Sequence, residues 1–438
     1  MAKQERKRKR KSTTKGAPQG KNITGDEGVR DVFPQEGEVR DRLRKIAYDT
    51  AHSHGFLRIE TSLLDPKEAI SRAIGESTKT GDLYTVSVKR RSWVLRHSSF
   101  LSMARAYLAG TAKRKIGQPA KLFAEDILFP PPVEYGIGAW RTSLSFHIIG
   151  GPNDPIYDAQ ILLVVSQLLR AFRLQGAKVM VNSSGCKVCW APYRKSLLAY
   201  YKKHAASLCG ECRKGFAERL ADTMQCRNDL CRELRREAPS FLDKICAPCS
   251  RHFQKVLEYL DDLGVEYELD NWLPALVPHG SKTAFAVKVP VGSGEVTVAV
   301  GGHYDYLFES LAKRLVPAVG GELDLERAVE AALSQQPQRS WSRRGVFIIY
   351  MGEVAKRRAL KVKEVLRESG LHVGEAFGRE LLHAQLKVAE KEHFPIALII
   401  GLKETYDDSV ILRDLKSGTQ ETISMERVFE EIKLRLKK

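Results

Sequence analysis

"RGVFIIYMGEVAKRRALKVKEVLRESGLHVGEAFGRELLHAQLKVAEKEHFPIALIIG" occupies residues 344–401. Three short apolar runs, "RGVFIIYMG", "LHVGEA" and "PIALIIG", alternate with two charged stretches, "EVAKRRALKVKEVLRESG" and "RELLHAQLKVAEKEH". Short apolar runs suit strands covered on both faces, as parallel strands between helices are. The charged stretches between them read as helices. Together they predict a small parallel-type α/β unit. A hairpin, "SVILRDL" and "TQETI" around Gly418, and a terminal helix, "SMERVFEEIKLRLKK" with Ser424 as its N-cap, complete it. Upstream, "SQQPQRSWSR" (334–343) is polar and reads as a linker, so the unit spans 344–438.

The 23–333 region reads differently. "GEVRDRLRKIAYDTAHSHGF" predicts a helix ending near Gly55, with apolar residues at 39, 43, 46 and 47 on one face. "LRIETSLL" predicts a strand, "LYTVSVKRRSWVLRH" a hairpin, and "SFLSMARAYLAG" a helix stopped by Gly110. Strands follow in "PAKLFAEDILFP", "WRTSLSFHIIGG", "KVMVNS", "TAFAVKVPV" and "VTVAVGG", the last two joined by a "GSGE" turn. Helices fall in "YDAQILLVVSQLLRAF", "RHFQKVLEYLDDLG" and "DLERAVEAALSQ". Strands in series with helices interspersed predict an α/β architecture built on a mostly antiparallel sheet with flanking helices. No internal repeat is present.

The chain holds 71 Lys and Arg against 53 Asp and Glu, a formal net charge of +18. Residues 1–22 carry nine Lys/Arg and one Glu, which is +8 of that total. This tail lacks apolar residues and should be disordered. A basic tail on a basic body favours a polyanionic partner, most simply RNA or DNA, with Arg6, Lys7, Arg8, Lys9, Arg10 and Lys11 as an electrostatic clamp. No apolar run approaches bilayer length, and the N-terminus has no secretory h-region, so a cytoplasmic protein is expected.

All eight cysteines lie between 186 and 249: Cys186 with Cys189, Cys209 with Cys212, Cys226 with Cys231, and Cys246 with Cys249. In a reducing compartment such clustering points to metal rather than disulfides. Eight thiolates make two tetrahedral sets, so two structural Zn²⁺ ions are expected. The four pairs can combine into two sites in three ways. His252, three residues after Cys249, is the alternative ligand for a mixed site.

The order of segments resembles that of histidine–tRNA ligases, class II aminoacyl-tRNA synthetases, from Gly28 onward. "GVRDVFP" (28–34) is similar to the family's opening Gly-x-x-Asp-x-x-Pro, and "HGFLRIETSLLD" to its dimer-forming first motif. "NSSGCKVCWAPYRKSLLAYY" resembles its insertion region, here about 183–252 within the 23–333 core. "FGRELLHAQLKVAEKEHFPIALIIG" resembles its anticodon-binding domain. The resemblance implies a homodimer that binds tRNA, with Arg379, Lys387 and Lys391 on the helix facing the anticodon.

The reacting positions depart from the family pattern. The segment that supplies an acid and a threonine for the substrate amino group reads "LRHSSF" (95–100), keeping Arg96 but placing Ser98 and Phe100 at those two positions. A hydroxyl cannot balance an ammonium as a carboxylate does. The Phe-Arg-x-Glu of the second motif reads "FPPP" (129–132), with Pro130 for the phosphate-gripping arginine; Arg141 is the nearest arginine downstream. Losing one such electrostatic contact commonly costs about 10²-fold or more in rate. The histidine-reading segment is "LPALVPHG" (273–280), with Ala275 and Pro278 for its arginine and aspartate. "VGGHYD" (300–305) has His303 for an arginine, followed by Tyr304. In "GGELDLER" (320–327) Arg327 remains, while Asp324 replaces a glycine. Arg96, Arg141, His303, Tyr304 and Arg327 are thus what is left of a nucleotide and amino-acid pocket, and ATP binding is not expected to survive intact. The resemblance therefore implies a ligase-like RNA-binding protein without aminoacylation activity. The alternatives are an active ligase with an unusual site, and a regulatory subunit of ATP phosphoribosyltransferase.

Overall fold

The computed structural model describes residues 30–74, 83–113, 115–131, 139–226, 228–271, 273, 280–335 and 345–437. The chain divides into two compact units between residues 336 and 337.

The first unit is built on an eight-stranded sheet. Its strands are β1 (Leu57–Arg58), with β2 (Leu64–Pro66), β3 (Thr85–Val88) and β4 (Arg91–Leu95) forming a separate small sheet, then β5 (Ala120–Leu128), β6 (Arg141–Ile149), β7 (Lys178–Gly185), β8 (Glu268–Leu269), β9 (Ser281–Val291), β10 (Gly294–His303) and β11 (Ala318–Asp324). The order across the large sheet is β1-β5-β6-β11-β10-β9-β7-β8. All neighbours are antiparallel except the two edge pairs, β1–β5 and β7–β8, which are parallel. Both faces are covered. Phe123 joins one core with the helices Pro34–Ser53, Ile156–Phe172 and Leu325–Gln335, while its neighbours Leu122 and Ala124 join another with the helix Ser99–Ala112. Alternate side chains of a strand point to opposite faces, so a sheet covered on both sides is apolar at successive positions. The first helix buries Val39, Leu43, Ala47 and Ala51, one residue per turn, with Ile46 packed beside them. At its centre the sheet requires glycine. Gly301 and Gly321 face each other in β10 and β11, and a Cβ on Gly301 would lie 2.2 Å from the Phe285 ring.

Three local expectations are corrected. The helix Ser99–Ala112 runs through Gly110 instead of stopping there. The Ile116 side chain sits 2.4 Å from where a Gly110 Cβ would be, so the glycine serves packing rather than termination. "LRIETSLL" is not one strand: only Leu57–Arg58 and Leu64–Pro66 pair. Between them Thr61 is drawn out of any ladder, its carbonyl and hydroxyl both accepting from Arg96. Ser424 is the last residue of a strand, paired with Ser409, and the terminal helix begins at Val428.

The second unit holds β12 (Gly345–Tyr350), β13 (His372–Glu375), β14 (Ile396–Ile400), β15 (Ser409–Asp414) and β16 (Gln420–Ser424), in the order β13-β12-β14-β15-β16. The first three are parallel and the last two antiparallel. Val346, Ile348 and Tyr350 enter one core with the helices Glu353–Glu368 and Val428–Lys437, while Phe347 and Ile349 enter the other, beside the helix Leu382–Lys391. The expected α/β unit is present, with a further short helix, Leu402–Tyr406, that periodicity does not reveal.

Candidate functional site

Arg96 stands at the end of β4, just before the helix Ser99–Ala112, and is buried. Its guanidinium donates to the Ile127 carbonyl at 3.0 Å and to Thr61 Oγ1 at 2.7 Å, and lies 2.6 Å from Asp126. Burial pushes the Asp126 carboxyl up from its ordinary range, against the Arg96 charge that pulls it down. Arg141, at the start of β6, pairs with Glu322 and lies 3.8 Å from Asp324, both carboxylates coming from β11. Glu322 also accepts from the Ser99 hydroxyl. Arg327 donates from its backbone N–H to Asp324 at 3.0 Å and from its guanidinium to the Thr297 carbonyl at 3.0 Å. Arg96, Arg141 and Arg327 thus each have acceptors within the protein. An aromatic cluster is buried in the same unit. Phe100 packs edge-on to His147 at 5.3 Å and to Tyr304 at 5.2 Å, and Tyr304 Oη lies 2.8 Å from His147 Nδ1. Burial pushes the His147 imidazole down to about 3, so it is neutral. Ser98, in place of the acid, is the N-cap residue of the helix and makes no side-chain capping bond. Ala275 and Pro278 lie outside the described residues, as do Pro132 and the basic run Arg6–Lys11.

His303 is not free to line an open pocket. Its Nε2 lies 2.8 Å from Asp158 Oδ2 and its Nδ1 3.0 Å from Asp305 Oδ1. Burial opposes its charge, but the Asp158 carboxylate, and Asp305 after it, push His303 up to about 9. His252 points to the same place, with Nε2 3.3 Å from Asp158 Oδ2. Sequence reading missed Asp158. Its one signal is the lone acid in the first turn of the largely apolar "YDAQILLVVSQLLRAF".

The insertion forms its own small core, including Tyr193, Leu197, Tyr201, Leu208 and Phe241 together with Cys189, Cys231 and Cys249, and the other five cysteines pack against it. The cysteines assemble as two quartets, Cys186 with Cys189, Cys246 and Cys249, and Cys209 with Cys212, Cys226 and Cys231. Helix ends make this possible. Cys186, Cys209 and Cys246 are each the N-cap of a helix, so each partner three residues on falls in the first turn. Sulfur separations are 3.6 Å for Cys186–Cys189 and 3.9 Å for both Cys186–Cys246 and Cys209–Cys226. A disulfide requires about 2.05 Å. Four thiolates at about 2.3 Å from one tetrahedral Zn²⁺ lie about 3.8 Å apart. The Cys212 N–H holds the Cys209 thiol down to about 7. The quartets fit zinc, and neither includes His252, which turns to Asp158.

In the second unit Lys387 and Lys391 are exposed one turn apart on the helix Leu382–Lys391, with His383 one turn before. Arg379 is exposed too, but it precedes that helix, in a turn where its N–H donates to the Ala376 carbonyl.

Residues 345–435 match the family model of the anticodon binding domain. The chain is 30% identical over 413 residues to the histidine–tRNA ligase of Oleidesulfovibrio alaskensis, covering 92% of this chain and 98% of that one. It is 28% identical over 424 residues to that of Desulforamulus reducens, covering 94% and 99%. Its fold is similar to apo histidyl-tRNA synthetase of S. aureus, with a TM-score of 0.74 at 22% identity over 94% of this chain and all of that one. It is also similar to a Bacillus halodurans protein described as an ATP phosphoribosyltransferase regulatory subunit/histidyl-tRNA synthetase, with a TM-score of 0.63 at 17% identity over 87% and 99%. Among the described residues, no helix is long and apolar enough to cross a membrane.

Proposed function

The chain belongs to the histidine–tRNA ligase family, and from that premise we propose that it binds tRNA, or an RNA folded like it, without aminoacylating it. One observation carries this reading: the arginines of the core are paired with buried carboxylates of the same chain. Arg96 faces Asp126, and Arg141 faces Glu322 and Asp324. Adenylation needs cations held ready for charge that develops in the transition state. A guanidinium already neutralised inside the fold has to break a buried pair first, and breaking such a pair costs about 3–5 kcal/mol. Glu322 and Asp324 would also repel the phosphates. Phe100 occupies the position of the group that receives a substrate ammonium, and its ring packs on Tyr304 and His147.

RNA contact falls to the second unit, through Arg379, Lys387 and Lys391, and to the basic run Arg6–Lys11. The two cysteine quartets hold one structural Zn²⁺ each. Four thiolates leave no open position on either ion, so these metals fold the insertion and activate nothing. The family implies a homodimer.

Pyrophosphate exchange with each of the twenty amino acids is expected to give no signal above background. Substantial exchange with any of them returns the chain to the active ligases. In filter binding, tRNA is expected to be retained at low salt and released steeply as salt rises. Absence of retention at low salt refutes RNA binding while leaving the catalytic reading to the exchange assay. Specific co-purification of an ATP phosphoribosyltransferase would favour the regulatory role instead.

A further inference from the structure

We propose that Asp158, His252 and His303 form a third metal site, separate from the cysteine quartets, for a divalent first-row transition ion. The three ligand atoms come from three elements that meet only in the folded core. Asp158 opens the helix Ile156–Phe172, His252 lies on the helix Ala247–Asp262, and His303 ends β10. All three atoms lie within 4.8 Å of one another. Ligands about 2.0–2.2 Å from one ion stand roughly 3–3.5 Å apart, and the two carboxylate-to-imidazole distances here are 2.8 and 3.3 Å.

Two observations separate this cluster from an ordinary buried ion pair. First, it contains an orphaned atom. Asp158 is 1% exposed, yet its Oδ1 has no hydrogen-bond partner, and the buried Nε2 of His252 has only the 3.3 Å contact with Asp158 Oδ2, outside hydrogen-bond geometry. A buried polar atom left without a partner costs about 1–3 kcal/mol, and such a group calls for an explanation, an ion among them. An ion held by both oxygens of the carboxylate and by the two imidazoles would satisfy Oδ1 and give His252 Nε2 a ligand bond. Second, the supporting contacts suit a ligating histidine. His303 Nδ1 faces Asp305, which is fixed by Lys282 Nζ at 2.5 Å and by the Ala318 N–H at 2.9 Å. A carboxylate on the far nitrogen fixes the tautomer and leaves Nε2 for the metal.

The ligand set defines the class of ion. Two imidazoles and one carboxylate suit Zn²⁺, Fe²⁺, Co²⁺ or Mn²⁺, whereas Ca²⁺ and Mg²⁺ take oxygen ligands. An ion here would take the place of the direct contact between His303 Nε2 and Asp158 Oδ2. At position 303 the family resemblance calls for an arginine, which stays protonated and cannot ligate; this chain has an imidazole there. His252 also follows the quartet ligand Cys249 by one turn of the same helix. An ion at this site would therefore tie the exit of the zinc-clipped insertion to the central sheet.

The test uses the full-length protein with both quartets loaded with zinc, titrated with Co²⁺. The wild type is expected to bind one further equivalent, with visible d–d absorption and no thiolate charge-transfer band. His252→Gln and His303→Arg should each weaken that equivalent by more than the 10–100-fold that loss of a second-shell partner typically costs. Both should keep their two zinc ions and their circular dichroism. His303→Arg keeps a cation opposite Asp158, so it decides the matter if His252→Gln folds poorly. No extra equivalent in the wild type, or one that survives His303→Arg unchanged, overturns the site. Neither result depends on whether the protein binds RNA or aminoacylates it.

Discussion

Arg96 directs its guanidinium to Thr61, Ile127 and Asp126, and this closed set gives it a structural task. Replacing it with methionine strands the Asp126 carboxylate without its cation. Removing one partner of a buried pair costs about 3–5 kcal/mol, so Arg96→Met should lower the urea midpoint strongly. A shift of only a few tenths of a kcal/mol would mean that Arg96 is available to a ligand. His147 gives a second handle, through pH. Its folded value is about 3, against about 6.5 in an unfolded chain. The unfolded state therefore binds the extra proton between those values. The stability of neutral His147 is fully present above about pH 6.5 and is lost as pH falls toward 3, by up to about 1.4 kcal/mol per unit. His147→Gln should flatten that slope in denaturation curves taken from pH 7 to 4. An unchanged slope would assign the acid sensitivity to other groups.

At the level of elements, the cysteine quartets join the ends of different helices, three N-caps at Cys186, Cys209 and Cys246 and one C-cap at Cys226 among them. Cys186 follows β7 and Cys246 opens the helix leaving the insertion, so one quartet closes the neck of the module; the other draws together three short helices inside it. Double substitutions test this grouping. Cys186→Ser with Cys246→Ser should remove one zinc per chain, since both belong to one site. Cys186→Ser with Cys226→Ser should remove both. Equal losses from the two double variants, read by native mass spectrometry, would contradict the grouping. The helix Lys187–Lys203 buries Cys189, Tyr193, Leu197 and Tyr201 one per turn, a period open to sequence reading. Beyond it, up to Cys246, α-helices of four to eight residues, such as Gly210–Arg213 and Asp229–Arg236, are too short to show a periodic apolar face. Their stability rests on the module's small core and, with zinc, on the metal.

For the whole molecule, the net charge of +18 is the feature that bears on a nucleic-acid partner. Lys387→Ala and Lys391→Ala, each on the exposed face of the helix Leu382–Lys391, should weaken tRNA binding and reduce the slope of log affinity against log salt by about 1 apiece. Deletion of residues 1–22 should reduce it further. A slope unmoved by all three changes would place the RNA contact elsewhere. The fold itself was largely legible. The alternation of apolar runs and helical stretches in 344–438 gave the three parallel strands and two helices found there, and the order of segments upstream identified the family. Gly110 and Ser424 misled because a glycine or a serine marks an element end only when nothing else claims it. Ile116 packs on the first, and strand pairing with Ser409 holds the second.

Contiguous residues carry most of the longer elements, their order, the family and the four cysteine pairs, as a period, a turn or a short spacing, but not the central strand Ala318–Asp324 or the helices of the insertion. The sequence by itself also carries "LRHSSF" and "FPPP", where single residues depart from the pattern that the family resemblance calls for. Only the tertiary structure decided which pairs of cysteines share a site, that His252 turns away from them to Asp158, and that Arg96 and Arg141 meet carboxylates of their own chain. Those choices depend on which helix start lands beside which strand end once the sheet has closed. Burial then fixes the partners, because a charged or polar group removed from water is stable only with a counterpart within bonding distance.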